Sequence, residues 1–155
     1  MTRALRYTPA QPEHCTILRE QMREEDRRET ALLGGDFMQR LSFGILAGPA
    51  FYACTEAGEA VALFGCVPDQ DIGVPWLLCT PRIALFPRET LLTGRRLVRQ
   101  WLTSHALLSN LVHRDNAQAI RFIRALGFTV APNPVAMKGG EFFMFFLTRE
   151  EFHHV

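Results

Sequence analysis

The sequence contains almost no lysine and almost no excess charge of either sign. Lys138 is the only lysine among 17 basic residues, and 16 acidic residues bring the formal net charge to +1. Proteins that grip nucleic acid through its phosphates carry a strongly basic domain or a one-sided basic stripe. We therefore expect no nucleic-acid partner.

Metal-binding and membrane-spanning patterns are also missing. The four cysteines form no Cys-x-x-Cys pair and no zinc-like spacing with the histidines, so we expect reduced thiols and no metal. No segment approaches the roughly eighteen apolar residues that cross a bilayer, and the first residues lack the apolar run of a signal peptide. These absences predict a cytoplasmic protein with no membrane partner.

The composition that is present is that of an ordinary globular protein. The chain has 155 residues, of which 48% are hydrophobic and 21% are charged. Both values are typical of a chain with one hydrophobic core. The sequence predicts one domain over residues 1–155, of the α/β (α+β) class.

The first half of the chain predicts a strand, two helices and three antiparallel strands. The strand covers 4–8, a surface helix covers 12–33, and Asp36 caps a second helix that ends near Gly48. The later strands cover 51–55, 60–67 and 73–80, although Pro75 weakens the third strand because it cannot donate a ladder hydrogen bond. The mixed-charge run from Arg23 to Glu29 predicts a solvated helix face, with partner binding as the minor alternative.

The second half predicts a strand-helix-strand unit. A helix with Pro87 in its first turn runs to about Ser104, and a strand covers 107–112. Asp115 and Gln118 form a capping-box-like start for a helix that Gly127 ends. Strands at 128–130 and 142–147 flank a loop with two prolines and two glycines. The predicted order is β-α-α-β-β-β-α-β-α-β-β.

This order and one segment together resemble a known superfamily. The segment is Asn116-x-x-Ala119-Ile120-x-Phe122-x-x-x-Leu126-Gly127-Phe128. It is similar to the fourth-helix signature of the GNAT N-acetyltransferases. The resemblance implies a GNAT-like mixed central sheet and a site for acetyl-CoA.

A narrower resemblance rests on three further patterns. They are the charged run from Arg23 to Glu29, Pro75-Trp76-Leu77-Leu78 ahead of Thr80, and Leu108-x-Asn110-x-Val112 leading to Asn116. All three look like small GNAT-like proteins of short-tailed bacteriophages, which are described as internal virion or assembly proteins. This resemblance implies phage structural proteins or a second copy of the chain as partners.

The GNAT resemblance also locates the cofactor site. In the family, the pyrophosphate of acetyl-CoA sits on N–H groups in a loop patterned Arg/Gln-x-x-Gly-x-Gly/Ala at the start of the third helix. The corresponding stretch, Leu85 to Leu91, has no glycine, has Pro87 without an N–H, and carries Glu89 where an anion should bind. Arg88 either meets a phosphate or is a solvated first-turn arginine. Acetyl-CoA is therefore a doubtful cofactor.

The family's general acid is usually a tyrosine in the fourth helix, and the matching position is Ile123, which cannot transfer a proton. Cys79 is either a thiol near the acyl group or a buried core cysteine. Asn116 is either a cleft residue or a helix cap. The residues that the resemblance places near the cofactor are Cys79, Thr80, Phe86, Pro87, Arg88, Glu89, Asn116, Ile120 and Ile123.

No residue stands out as the base that would deprotonate an amine. Asp71, His113 and Glu141 lie at strand ends, where a surface role is the simpler interpretation, and Trp76 either lines a cleft or belongs to the core. Two hypotheses follow. The chain is a phage GNAT-fold assembly or internal virion protein with a degenerate acetyl-CoA site, in the host cytoplasm during assembly. Alternatively, it is an active N-acetyltransferase that acts on a small-molecule amine or on a protein N-terminus or lysine.

Overall fold

The computed structural model describes residues 4–137 and 139–152. The chain forms two compact units: the first is Met1–Val67 with Trp76–Thr90, and the second is Pro68–Pro75 with Leu91–Val155. Eight strands of the described residues, β1 to β8 in chain order, form one open sheet. They are Arg6–Pro9, Ala50–Cys54, Ala60–Asp69, Ile72–Cys79, Leu107–His113, Thr129–Val130, Val135–Met137 and Gly140–Thr148. Their hydrogen-bonded order is β1-β2-β3-β4-β5-β8-β6, and β7 also pairs with β8. This is a mixed α/β fold whose pairs are mostly antiparallel, as the sequence predicts.

The first unit contains an antiparallel meander. Strand β1 (Arg6–Pro9) pairs with β2 (Ala50–Cys54), which pairs with β3 (Ala60–Asp69). Hydrogen bonding closes the turn before β3, since Thr55 Oγ1 accepts from the Glu59 N–H at 3.0 Å. The two antiparallel strands predicted over 51–55 and 60–67 are therefore present as a hairpin.

Three helices pack on this meander, where the sequence predicts two. They are α1 (Pro12–Gln21), α2 (Glu24–Leu33) and α3 (Phe37–Ala47). The Asp36 carboxylate caps α3, as predicted, by accepting from the N–H groups of Met38 and Gln39. The buried residues that these helices share with the strands are Cys15, Leu18, Met22, Leu41, Tyr52, Ala60, Leu63 and Leu78.

The predicted single helix over 12–33 is wrong because the backbone turns extended at Met22 and Arg23. At this break the Arg23 N–H donates to the carbonyl of Cys79 at 2.8 Å. A helix running through this point would commit that N–H to the carbonyl four residues before it. The helix is therefore interrupted where this N–H bonds to the strand that contains Cys79. Nothing in the sequence near residue 23 indicates the interruption.

Strand β4 (Ile72–Cys79) leads through a 3-10 helix (Pro81–Leu85) into α4 (Pro87–Ser104). Pro75 lies inside β4, so the strand forms although this residue cannot donate a ladder hydrogen bond. Pro87 begins α4, as predicted. The 3-10 helix is an addition to the predicted order.

The second unit is built around β8 (Gly140–Thr148). It pairs antiparallel with β5 (Leu107–His113), β6 (Thr129–Val130) and β7 (Val135–Met137). Between β5 and β6 lies α5 (Ala117–Ala125), and α6 (Arg149–Phe152) follows β8. The buried side chains of this unit include Val98, Trp101, Leu102, Leu108, Val112, Phe128, Phe142, Phe145 and Leu147.

Two details of this unit correct the sequence prediction. The residue that caps α5 is Asn116, whose Oδ1 accepts from the Ala119 N–H, whereas the capping-box prediction placed the start at Asp115. The loop predicted between the last two strands contains β7. Gly127 follows α5 with φ +104°, in agreement with its predicted role as a helix terminator.

Gly65 in β3 marks a close approach of two backbone segments. A Cβ at this position would stand 2.4 Å from the carbonyl oxygen of Pro49 and 3.1 Å from Ala50 Cα. We expect Gly65→Ala to lower the free energy of unfolding by about 2 kcal/mol, because backbone cannot move aside as a flexible side chain can. Urea denaturation followed by circular dichroism measures the change.

Gly44→Ala is the matched control. The new Cβ would meet Trp76 only at 3.4 Å, in the interior of α3, where alanine is favoured over glycine by roughly 1 kcal/mol. We expect this variant to be as stable as the wild type or slightly more stable. Equal stability of Gly65→Ala and the wild type would contradict the close approach at β3.

Candidate functional site

The residues that the resemblance places near a cofactor fall in two stretches of the chain. Cys79, Thr80, Phe86, Pro87, Arg88 and Glu89 belong to the first unit, from the end of β4 to the first turn of α4. Asn116, Ile120 and Ile123 belong to the second unit, at the cap and in the body of α5.

Cys79 ends β4 as a core residue, with 2% of its surface exposed. Its N–H donates to Asp26 Oδ2 at 2.9 Å, and its thiol lies 3.5 Å from the same oxygen. Burial, and then the negative charge of Asp26, raise the pKa of Cys79 far above its usual range. The thiol is therefore protonated at neutral pH, which supports the core interpretation over a reactive one.

Thr80 is fully buried and uses its hydroxyl within the fold. Its Oγ1 donates to the carbonyl of Ala60 at 2.8 Å and accepts from the Arg82 N–H at 3.3 Å. The second bond caps the 3-10 helix. Thr80 thus links β4 to β3 and starts the turn toward α4.

The carboxylate of Asp26 is the polar centre of this region, and the sequence interpretation missed it. Asp26 is 3% exposed, and its Oδ1 accepts from Arg23 Nη2 at 2.9 Å while its Oδ2 holds the Cys79 N–H. Its neighbours Glu25 and Arg27 are exposed. Composition therefore predicted a solvated face, and no local signal distinguishes the one buried carboxylate.

The first turn of α4 holds an anion of its own. Both carboxylate oxygens of Glu89 accept from the N–H of Leu5, at 2.9 and 3.1 Å. Phe86, just before the helix, is buried, and its carbonyl accepts from the hydroxyl of Thr90 at 2.6 Å. Pro87 and Arg88 are exposed. A negative charge is favourable at a helix N-terminus, and here Glu89 supplies it.

Asn116 is buried, with 4% of its surface exposed. Its Oδ1 caps α5, which fixes the orientation of the amide and leaves Nδ2 shielded from solvent without a hydrogen-bond partner among the described residues. Ile120 and Ile123 are half-buried in the same helix. The orphaned N–H₂ group is a donor that a carbonyl oxygen could satisfy.

Strands β4 and β5 pair in parallel over a short length only. The register joins Ile72 to Leu107 and Gly73 to Leu108. Beyond these pairs, Asn110 Nδ2 donates to the carbonyl of Pro75 at 2.7 Å. A side-chain donor thus takes the place of a backbone donor two residues beyond the last paired residue of β4.

A polar cavity of about 430 Å³ lies beside the end of β5. It is lined by His113, Arg114, Asp115, Gly139, Gly140 and Glu141. His113 Nδ1 accepts from the Asp115 N–H at 3.2 Å, and Arg114 forms an ion pair with Glu141. Two of the three candidate bases, His113 and Glu141, therefore share one cavity, whereas Asp71 does not line it.

Residues 4–137 and 139–152 contain neither a metal-binding cluster nor a membrane-spanning helix. No group of three or more His, Cys, Asp or Glu side chains there is arranged to hold a metal ion. No helix in this part of the chain has the length and apolar character needed to cross a membrane.

Comparison with known proteins gives matches in structure only. No protein-family model and no curated protein sequence matches the chain. An acetyltransferase of the GNAT family from Bacillus anthracis superposes with a TM-score of 0.69 and 9% identity, over 96% of each chain. AAC(6')-Ib in complex with Parmomycin and acetyl-CoA gives a TM-score of 0.70 and 15% identity, over 98% of this chain and 97% of that one.

A third similar structure is a variant of SpeG spermidine N-acetyltransferase from Vibrio cholerae, with a TM-score of 0.68 and 9% identity over 96% of each chain. At these identities the likeness concerns architecture, since one fold serves many functions. The chain has the GNAT acetyltransferase fold, which confirms the fold expected from the segment Asn116 to Phe128.

The Arg23–Asp26 pair should carry much of the stability at the end of β4. Replacing Asp26 by Asn removes the buried carboxylate that pairs at 2.9 Å with Arg23, whose side chain is 13% exposed. We expect Asp26→Asn to lower the free energy of unfolding by about 3 kcal/mol, because removing one partner of a buried ion pair is strongly destabilising. Equilibrium urea denaturation is the measurement.

Glu25→Gln provides the control on the neighbouring position. Glu25 lies 3.8 Å from the Arg23 guanidinium with 46% of its side chain exposed, so its loss should cost less than about 0.5 kcal/mol. Equal effects of the two substitutions would show that Asp26 has no special role.

Proposed function

We propose that this chain is a GNAT-fold protein with a degenerate acetyl-CoA site, which acts through protein contacts in the assembly or interior of a short-tailed phage virion. The observation that carries the proposal is the Glu89 carboxylate in the first turn of α4, bonded to the Leu5 N–H at 2.9 and 3.1 Å. The family binds the cofactor's pyrophosphate at the corresponding turn. The phage assignment rests on the resemblance of the charged run and of the Pro75–Leu78 segment.

Electrostatics at this turn disfavour a second anion. A helix N-terminus carries about half a positive charge, and the full negative charge of Glu89 already offsets it. Pro87 removes one N–H donor, and the preceding Pro81–Leu85 stretch is a 3-10 helix without glycine. The residues at this turn therefore do not fit a pyrophosphate group.

The proton route of the family also has no counterpart in α5. Ile123 occupies the position of the usual tyrosine and is a half-buried apolar side chain. General acid catalysis commonly contributes about 10²–10⁴-fold to a rate. Its absence supports a role in which turnover is not required.

An exposed apolar pair on α3 supports the protein-contact half of the proposal. Phe43 is 64% exposed and Leu46 is 82% exposed. Three residues apart on one helix, their side chains lie on the same face. Adjacent exposed apolar side chains are typical of contact surfaces. A phage structural protein or a second copy of the chain is the proposed partner.

One observation favours the alternative, an acetyl-CoA-dependent N-acetyltransferase that acts on a primary amine. The buried Nδ2 of Asn116, which has no hydrogen-bond partner among residues 4–137 and 139–152, fits a carbonyl acceptor such as an amide in the arm of acetyl-CoA. His113 and Glu141, which line the polar cavity, would be the candidate bases. Under this hypothesis the arm of acetyl-CoA binds at Asn116, and its pyrophosphate binds at a site other than the start of α4.

Acetyl-CoA binding separates the two hypotheses. A ligand that binds only the folded state raises the melting temperature, and at a hundredfold excess over its Kd it adds about 2.7 kcal/mol. We expect millimolar acetyl-CoA to leave the melting temperature of the wild type unchanged in differential scanning fluorimetry. A saturable increase that Arg88→Glu abolishes would overturn the degenerate-site proposal and support the enzyme.

If acetyl-CoA does not bind the wild type, Glu89→Gln shows whether the charge of Glu89 is the cause. Glutamine retains one oxygen to accept from Leu5 while it removes the charge, so acetyl-CoA should bind this variant more tightly than the wild type if Glu89 excludes the pyrophosphate. Glu56→Gln, on an exposed turn, removes the same charge elsewhere and should change nothing.

The α3 pair can be tested in the phage. We expect Phe43→Ser with Leu46→Ser to leave the melting temperature nearly unchanged, because both side chains are exposed. Supplied in trans to a phage that lacks this gene, the double variant should give at least about tenfold fewer infectious particles, since each 1.4 kcal/mol of lost contact energy is tenfold in affinity. Leu92→Ser, at a 53% exposed position on α4, is the control and should give wild-type titres. Wild-type titres from the double variant would reject α3 as the contact surface.

A further inference from the structure

A cavity of about 260 Å³ lies within the first unit, among α1, α2 and α3. Its lining contains three arginines and no acidic residue: the full set is Arg19, Met22, Arg27, Thr30, Ala31, Gly35, Phe37 and Arg40. We name it the arginine pocket. Three like charges around one concavity repel each other unless an anion offsets them.

Main-chain carbonyls hold two of these guanidinium groups in place. Arg27 Nη2 donates to the carbonyl of Arg19 at 3.0 Å, near the end of α1. Arg40 Nη2 donates to the carbonyl of Thr30 at 2.8 Å, in α2. These acceptors position the two guanidinium groups, but none of them carries a full negative charge.

Some guanidinium N–H groups in the arginine pocket have no acceptor among the described residues. A guanidinium has five N–H donors, and Arg40 Nε is shielded from solvent without a partner in the part of the chain that the structure describes. In the same part of the chain, no ion pair involves Arg19 or Arg40. The acidic partner of Arg27 is Glu24, whose Oε2 lies 4.0 Å from Arg27 Nε with both side chains well exposed. An exposed ion pair of this kind is a weak interaction.

The floor of the pocket is partly apolar. Met22 is 7% exposed, and Phe37 is half-buried. Arginine binds planar or tetrahedral oxyanions through two parallel N–H bonds. The combination of forked donors with an apolar floor suits an oxyanion attached to a small apolar group.

We propose that the arginine pocket binds a small oxyanion, a phosphate or a carboxylate group, carried on a ligand with an apolar portion that contacts Met22 and Phe37. The proposal is independent of acetyl-CoA, because Glu89 and Asn116 do not line the pocket. It assigns a binding role to α1, α2 and α3 apart from the exposed pair Phe43 and Leu46.

The test is a ¹H–¹⁵N NMR titration that follows the Nε–H signals of the arginines at constant ionic strength. The probes are inorganic phosphate, phenyl phosphate and benzoate, so that the arms separate phosphate from carboxylate and report the apolar contact. We expect saturable shifts of the Arg40 signal, with phenyl phosphate at least about threefold tighter than inorganic phosphate because its ring buries apolar area.

Ala31→Glu tests the site without removing any arginine. Ala31 is exposed at the pocket, and a carboxylate there competes with the ligand for the same donors. We expect the affinity for phenyl phosphate to fall at least about tenfold, the effect of losing one charge-assisted contact. Ala31→Gln, similar in shape but neutral, should change it less than about twofold.

Arg28→Gln controls for overall charge. Arg28 is on α2 with 73% of its side chain exposed and does not line the pocket, so this variant should bind like the wild type. The proposal is wrong if none of the three probes gives a saturable shift of the Arg40 signal. It is also wrong if Arg28→Gln weakens binding as much as Ala31→Glu does.

Discussion

The buried carboxylate of Asp26 joins two parts of the first unit that are far apart in sequence. It accepts from the Cys79 N–H at the end of β4 and from the Arg23 guanidinium, while the Arg23 N–H donates to the Cys79 carbonyl. Both backbone polar groups of Cys79 are thereby satisfied without a neighbouring strand. A buried charge is tolerated only when it is paired and hydrogen-bonded, so this arrangement fixes where α1 ends and α2 begins.

The parts of the fold that the sequence predicts are those determined by local chemistry. Asp36 caps α3 and Gly127 follows α5 because each requirement is met within a few residues. The break between α1 and α2 depends on Cys79, more than fifty residues away, and periodicity carries no information about such a partner. For the same reason the sequence could not show that Asp26 is buried among exposed charges.

The candidate site likewise has features that the sequence shows and one that only the structure shows. The absence of glycine before α4 and the apolar Ile123 are visible in the sequence, and they raised the question of a degenerate cofactor site. The bond from Leu5 to Glu89 is visible only in the structure, because it joins residues 84 positions apart. This bond supports the proposal that the pyrophosphate of acetyl-CoA does not bind at the start of α4.

Glu89 and Asn116 have opposite implications for acetyl-CoA binding, and the difference in their burial and hydrogen bonding explains why. Glu89 has satisfied its charge with a backbone donor, so it needs no ligand. Asn116 has satisfied only half of its amide, and its shielded Nδ2 has a desolvation cost of about 1–3 kcal/mol that nothing in the described chain offsets. A protein that has lost catalysis can keep such a donor, since removing Asn116 would also remove the cap of α5. The capping role alone therefore accounts for the asparagine, whereas no role in acetyl-CoA binding accounts for Glu89.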